Sequence, residues 1–354
     1  MQDPIHEALA YYDLIASFEI SPLGTGLIHK TWRITSRSES FVLQEINQNV
    51  FKNPEAIADN LRQLDAYRIS KIPDYPFIAP LPGKDGKGFI KIDNHLFRLS
   101  PFVACSTAVT SVAGPDQAYE AAFQFGRFTK AFSGFNAGRL TDTIPQFHDL
   151  TFRFEQFKTA ISNAHPHRLQ RSSKLIATID EFSSITADFE RIQSGTVIAK
   201  RVTHHDTKIS NVLFDQNAKG LCVIDLDTVM AGYYISDLGD MMRTYLAEAS
   251  EEVQDLKEIA IREDVFEAVI CGYLDNAADI LSVDERRFLF YSGSFMMLMQ
   301  AVRFLTDYLM NDRYYGAKYE DHNFVRAANQ LTLLQQYETR KKDLQSIISK
   351  FVKP

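Results

Sequence analysis

The 354-residue chain is poor in cysteine: Cys105, Cys222 and Cys271 are its only three, and they are far apart. That number and spacing leave no disulfide framework and no zinc-ligand pattern, and point to a reducing compartment. Positive charge is not in excess. The formal net charge is -7, which argues against a broad electrostatic attraction to nucleic acid or anionic lipid. No long uninterrupted hydrophobic run occurs either. The most apolar stretch, 288–305, carries Tyr291, Ser292, Ser294, Gln300 and Arg303. It reads as a buried helix, because a membrane span wants about 20 mostly apolar residues. The start, M-Q-D-P-I-H-E-A, lacks the basic first residues and apolar core of a secretory signal, so a cytoplasmic location is expected. There is no internal repeat, no low-complexity tract and no G-x-x-x-x-G-K-[ST] phosphate loop. The composition that remains, 45% hydrophobic, is that of a globular protein with room for two lobes.

The two parts of the chain differ in character. Residues 4–18 have the pattern of a short amphipathic helix. Strand signals follow at 20–34, interrupted by the glycines of Gly24-Thr25-Gly26, and again at 41–46. Residues 54–69 show helical spacing, with Asn53 as cap and Pro54 at the first helical position. Two further strand runs bracket a hairpin-like turn at 83–88, and His95–Val103 then reads as a strand leaving this region. Beyond Gly114-Pro115-Asp116 helical spacing dominates, predicting helices near 116–134, 151–163, 172–193, 236–248, 254–277, 283–310 and 322–352. The exception is 197–231, rich in Val and Ile. The pattern predicts an α+β bilobal architecture: an N-terminal antiparallel sheet lobe over 1–103 and a larger, mainly helical lobe over 104–354.

The exceptional segment carries the chemistry. Residues 201–211 read R-V-T-H-H-D-T-K-I-S-N, and 224–228 read I-D-L-D-T. The spacing H-x-D-x-K-x-x-N, followed by an acid ending a short apolar run, supplies what phosphoryl transfer needs. Asp206 is placed to orient or deprotonate a hydroxyl. Lys208 offers a cation to the moving phosphate. Asn211 and Asp225 offer oxygen atoms to magnesium, which takes few protein carboxylates. Asp227, at period two from Asp225, lies behind the metal ligands or faces the substrate. His204 reads as structural, fastening the loop. Asp237 and Asp240 are expected to cap the next helix rather than anchor this loop. The glycines Gly24 and Gly26 permit close approach of backbone to nucleotide phosphates, although a G-x-G turn alone is a weak signal. Arg303, within an apolar helix, needs a partner. Asp307, four residues on, and a polar substrate are even choices. Tyr314 and Tyr315 line a pocket or pack.

These strings resemble those of the aminoglycoside phosphotransferase and choline kinase superfamily, small-molecule relatives of protein kinases. Within it, F-H-D at 147–149, R-F-L-x-D-Y-L at 303–309 and K-Y-x-x-H-N at 318–323 resemble bacterial N-acetylhexosamine 1-kinases. The resemblance implies a protein-kinase-like fold with ATP and Mg2+ in the cleft. It implies Asp206 as catalytic base, Asn211 and Asp225 as metal ligands, and Asp227, Thr228, Arg303 and Tyr314 as sugar contacts. The expected reaction moves the γ-phosphate of ATP to the anomeric hydroxyl of N-acetylglucosamine or N-acetylgalactosamine. The expected partner is therefore a small sugar, with neither nucleic acid nor membrane involved. Gln44 stands where many kinases place a phosphate-binding lysine, so a neutral amide meets the nucleotide there. Two rival readings stay open. One is a kinase for choline, homoserine, an aminoglycoside or another sugar. The other is an inactive nucleotide-binding regulator.

Overall fold

The computed structural model describes residues 4–14, 18–24, 29–37, 39–195 and 197–352. Its first part is a five-stranded sheet and two helices. Helix α1 (Pro4–Tyr11) precedes β1 (Glu19–Pro22), β2 (Lys30–Thr35) and β3 (Ser40–Glu45). Helix α2 (Pro54–Lys71) follows, then β4 (Ile90–Ile92) and β5 (His95–Pro101). The five strands pair antiparallel in the order β1-β2-β3-β5-β4. Helix α2 starts where the sequence predicts. The Asn53 side chain accepts from the Ala56 N–H at 3.1 Å, and Pro54 stands in the first turn. The turn expected at 83–88 is present: the Gly86 N–H donates to the Gly83 carbonyl at 2.9 Å and the Gly83 N–H to the Lys87 carbonyl at 2.8 Å, with Gly86 at φ +76°. No strand is assigned just before it, and β4 and β5 are joined by a second turn at Asp93-Asn94, with Asp93 at φ +51°. A short acid that tolerates the left-handed region does there what glycine usually does.

The remainder is mainly helical: α3 (Pro115–Ala131), α4 (Leu150–Asn163), α5 (Pro166–Glu181) and α6 (Ser184–Ser194). The interrupting strands are β6 (Arg201–Thr203), β7 (Val212–Phe214), β8 (Gly220–Val223) and β9 (Met230–Gly232). Then come α7 (Tyr234–Tyr245), α8 (Glu263–Ala277), α9 (Val283–Arg286), α10 (Leu289–Leu309), α11 (His322–Thr339) and α12 (Lys341–Ser349). The single helix expected over 172–193 breaks at Phe182-Ser183, and the one expected from 254 begins only at Glu263.

Helix α10 is the hub. Almost every residue from Leu289 to Leu309 is buried, packed against α4, α7 and α11. This is why its sequence is apolar all round without being a membrane span. No helix is long and apolar enough to cross a membrane among the described residues. Helix α7 approaches α10 at Gly239, where an added Cβ would lie 2.2 Å from the Ser292 carbonyl oxygen. Only glycine allows that backbone contact, and it fixes where the acidic face of α7 meets the loop after β6.

Candidate active site

Two nested antiparallel ladders assemble the site. The outer ladder pairs β6 with β9, Thr203 opposite Met230; the inner pairs β7 with β8, Val212 opposite Val223. The chain therefore crosses from outer to inner strand through 204–211 and back through 224–229. Those two connections lie side by side at one end. The Ile224 N–H donates to the Asn211 carbonyl at 2.9 Å, and Thr228 Oγ1 donates to the His204 carbonyl at 2.6 Å. The His204 ring, wholly buried, bonds the Ile224 carbonyl at 3.0 Å. Its structural role matches the sequence reading.

Helix α7 holds the first connection from behind. Asp237 accepts the backbone N–H groups of His204 and His205 at 2.9 and 2.7 Å, and Asp240 accepts that of Thr207 at 2.7 Å. This corrects the expectation of capping: both acids anchor the loop, and no side chain caps α7. Their spacing of three places both carboxylates on one helical face, the sequence signal that was there to be used. His205 is held at φ +67°.

With the loop fixed, Asp206 is positioned by its own neighbours. Asn211 Nδ2 donates to the Asp206 carbonyl at 2.9 Å and to its carboxylate at 3.0 Å. Lys208 Nζ pairs with the other carboxylate oxygen at 3.2 Å. Burial pushes the Asp206 carboxyl upward, but Lys208 and His204 more than offset it, so it titrates below its usual value. Asp206 in turn raises Lys208. The pair is fully charged near neutrality.

Asp225, at φ +58°, projects open to solvent at the turn after β8. The protein around it, and repulsion from Asp227 and Asp206, push its carboxyl up to about 6. Asp227 differs. It is 1% exposed, and both oxygens are occupied by the Arg98 guanidinium, one contact at 3.0 Å, with His29 Nε2 on Oδ2 at 2.7 Å. His29 Nδ1 accepts the Asn47 N–H at 3.0 Å. Nε2 therefore carries the proton and donates to the carboxylate. Burial raises the Asp227 carboxyl, but Arg98 and His29 override it and hold it far below the ordinary range.

His29, Asp225 and Asp227 bring ligand atoms within 4.8 Å of one another. Of the three, Asp225 alone has uncommitted oxygens. Asn211 spends its amide hydrogens on Asp206, and among the described residues no donor meets its Oδ1. Two free oxygens on adjacent connections, one a carboxylate raised by repulsion, suit a hard cation such as magnesium. A carboxylate raised in this way gains from a cation what it lacks from the protein.

The profile of the Phosphotransferase enzyme family matches residues 19–265. The chain belongs to that family. Solved structures agree on the fold at low identity. A microcompartment-associated aminopropanol kinase superposes with TM-score 0.64 at 14% identity, over 96% of this chain and 98% of the other. A spectinomycin phosphotransferase, bound to ADP and spectinomycin, gives 0.60 at 13%, over 95% and 98%. The choline kinase of Cryptosporidium parvum Iowa II gives 0.55 at 14%, over 97% and 96%.

The remaining predicted residues of this phosphotransferase fall into two places. In the sheet, Gly24 adopts φ +71° with no atom within 4 Å of an added Cβ, so its glycine serves conformation. Gly26 lies outside the described residues. Gln44 on β3 faces Arg98 on β5 and accepts its Nε at 3.0 Å. Arg98 was missed in the sequence, although a cation inside L-F-R-L was its signal. Asn60 of α2 was missed as well. Wholly buried, it bonds the Thr141 and Val229 carbonyls at 2.8 and 3.1 Å and accepts the Thr141 N–H at 2.9 Å. It ties α2 to the segment that carries Asp225.

Arg303 and Tyr314 lie on a wall that runs to Asp206. The Arg303 guanidinium is over Phe147 at 4.8 Å, Tyr315 at 5.4 Å and Tyr314 at 5.9 Å. Phe147 stacks on His148, whose ring is 5.2 Å from that of His205, next to Asp206 in the chain. Asp307 does not pair with Arg303. It accepts the backbone N–H groups of Tyr314 and Tyr315 at 2.8 and 2.9 Å, shaping the loop that carries them. Among the described residues no carboxylate reaches Arg303. Its one side-chain bond is a long one to Gln300, at 3.4 Å. Thr228 is 8% exposed and its hydroxyl is engaged with the His204 carbonyl.

Proposed function

We propose that this phosphotransferase moves the γ-phosphate of ATP to the anomeric hydroxyl of an N-acetylhexosamine. The observation that carries the choice of acceptor is Arg303. It is 7% exposed, meets no carboxylate among the described residues, and covers the aromatic faces of Phe147, Tyr314 and Tyr315. Those rings are what a quaternary or protonated amine would seek, and a guanidinium already holds them. A neutral acceptor rich in oxygen, with hydroxyl and acetamido carbonyl groups, satisfies a buried Arg where a cation opposes it. Small-molecule acceptors also agree with the aminopropanol, spectinomycin and choline kinases of this fold.

In this reading the Asp206 carboxylate accepts the proton of the acceptor hydroxyl as its oxygen bonds to the γ-phosphorus and the bond to the β-phosphate oxygen breaks. Asn211 and Lys208 hold the carboxylate in place. Lys208 faces the charge that spreads over the transferred group. An anomeric hydroxyl is more acidic than an ordinary alcohol, which suits a carboxylate held below its usual value. Asn211 Oδ1 and Asp225 would hold magnesium, which supplies neutralisation of the phosphates when bound. Positioning and fixed charges provide the rate.

ADP release over a panel of N-acetylglucosamine, N-acetylgalactosamine, glucose, choline, homoserine and an aminoglycoside tests the reading. The expected result is turnover on N-acetylhexosamines, with phosphorus NMR placing phosphate on the anomeric carbon. Turnover on choline or an aminoglycoside alone, or phosphate on another hydroxyl, would overturn it.

A further inference from the structure

Gln44 leaves β3 without a cation at the position facing the proposed nucleotide, yet the residue directly opposite it on β5 is an arginine. We propose that Arg98 is the phosphate-binding cation of the sheet lobe, carried on the strand beside the expected one. The inference rests on the nucleotide reading above.

Arg98 is 5% exposed. Its Nε donates to Gln44 Oε1 at 3.0 Å, and its two terminal nitrogens donate to the two oxygens of Asp227. A guanidinium has five N–H donors. Among the described residues three are taken, which leaves one on each terminal nitrogen. The group is thus aligned by the protein with two donors to spare, and Asp225 is near enough for its charge to act on Arg98. Gln44 acts as the bracket that orients the fork, which explains an amide at that site. Arg98 bonds Asp227, whose carboxylate lies within 4.8 Å of that of Asp225, so phosphates held by a cation on Asp225 would come near the guanidinium. The planar fork suits bidentate contact with phosphate oxygens.

A rival role for the same residue is purely mechanical: Arg98 joins the sheet lobe to Asp227 and does nothing else. Two substitutions separate the roles. Arg98→Gln removes the cation. Asp227→Asn keeps the cation and breaks the ion pair. Binding of ADP and of adenosine is measured by calorimetry with and without magnesium. Arg98→Gln is expected to weaken ADP about 10- to 100-fold, the range of one charge-assisted hydrogen bond, with adenosine unchanged. Asp227→Asn in EDTA is expected to hold ADP as wild type does, or tighter. The double variant Gln44→Lys/Arg98→Gln, which moves the charge to β3, is expected to recover most of the loss. Equal ADP affinity in wild type and Arg98→Gln would overturn the inference. So would equal loss for ADP and adenosine. If Arg98→Gln does not fold, a fall in ADP affinity for Asp227→Asn in EDTA overturns it alone. Wild type that binds no ADP would instead sink the nucleotide reading.

Discussion

Asn211 gives its amide hydrogens to Asp206 and so turns its oxygen away from it. In the proposed mechanism that one side chain would fix the base and present a metal ligand, with Asp225 offering the second oxygen from the neighbouring connection. Cation binding should carry a pH signature. The Asp225 carboxyl is pushed up to about 6 by the protein packed around it and by Asp227 and Asp206. Below that value it is protonated, and a cation must displace the proton. Magnesium affinity should rise roughly tenfold per pH unit up to 6 and level off above it. Calorimetric titration at pH 5, 6 and 7.5 measures this. A flat profile would remove Asp225 from the ligand set.

The wall proposed to hold the acceptor can be probed at Arg303. Arg303→Lys keeps the charge but loses the flat group stacked on Phe147 and Tyr315. The KM for the acceptor should rise about 10- to 100-fold, corresponding to about 1.4–2.8 kcal/mol, while ADP affinity stays within about threefold. An unchanged KM would show that Arg303 is only a packing residue.

Helix packing should reach the active site through one glycine. Gly239→Ala drives a methyl group into the Ser292 carbonyl. Neither helix backbone can give way cheaply, so the loss should be about 3 kcal/mol or more. Because Asp237 and Asp240 flank this glycine and hold the His204–Thr207 backbone, kcat should fall as well in whatever fraction remains folded. Urea unfolding and turnover per folded molecule give the two readouts. A stable, fully active variant would contradict the anchoring described here.

Acid should unfold the protein early. Burial lowers His148, His204 and His205, the last to about 3, with the His148–His205 repulsion adding to it in His148. Their folded values lie below the unfolded one, so the unfolded chain binds the protons. Stability is complete above pH about 6.5 and falls as pH drops through it, by up to about 1.4 kcal/mol per histidine per pH unit. Melting temperatures at pH 7.5, 6.5 and 5.5 check this. An unchanged melting temperature at 5.5 would mean that these rings are not held neutral.

Much of this was legible in the chain. The spacing of Asp206, Lys208 and Asn211, and the strand end before Asp225, needed only local order, because nested hairpins bring neighbouring segments together. Asn53 and Pro54 announced α2, and the apolar run around Arg303 announced α10. What escaped depended on contacts distant in sequence. Nothing local tells that Asp227 faces Arg98, 129 residues away, rather than a substrate. Asn60 looks like any polar helix residue until its carbonyl partners at Thr141 and Val229 are known. Asp237 and Asp240 have the composition of a helix start, and only the packing of α7 turns them toward the loop. Helical spacing leaves Asp307 and a polar substrate as even partners for Arg303, and only the backbone of the next loop, with its two donors to Asp307, decides against the pair.

The central claim is that Asp206 takes the acceptor proton while the neighbouring connection handles the nucleotide. Asp206→Asn keeps the size of the side chain and removes the charge. Turnover of ATP with N-acetylglucosamine should fall by about 100-fold or more, with ADP affinity within about threefold of wild type. Turnover within a few-fold of wild type, at normal ADP affinity, would contradict the account.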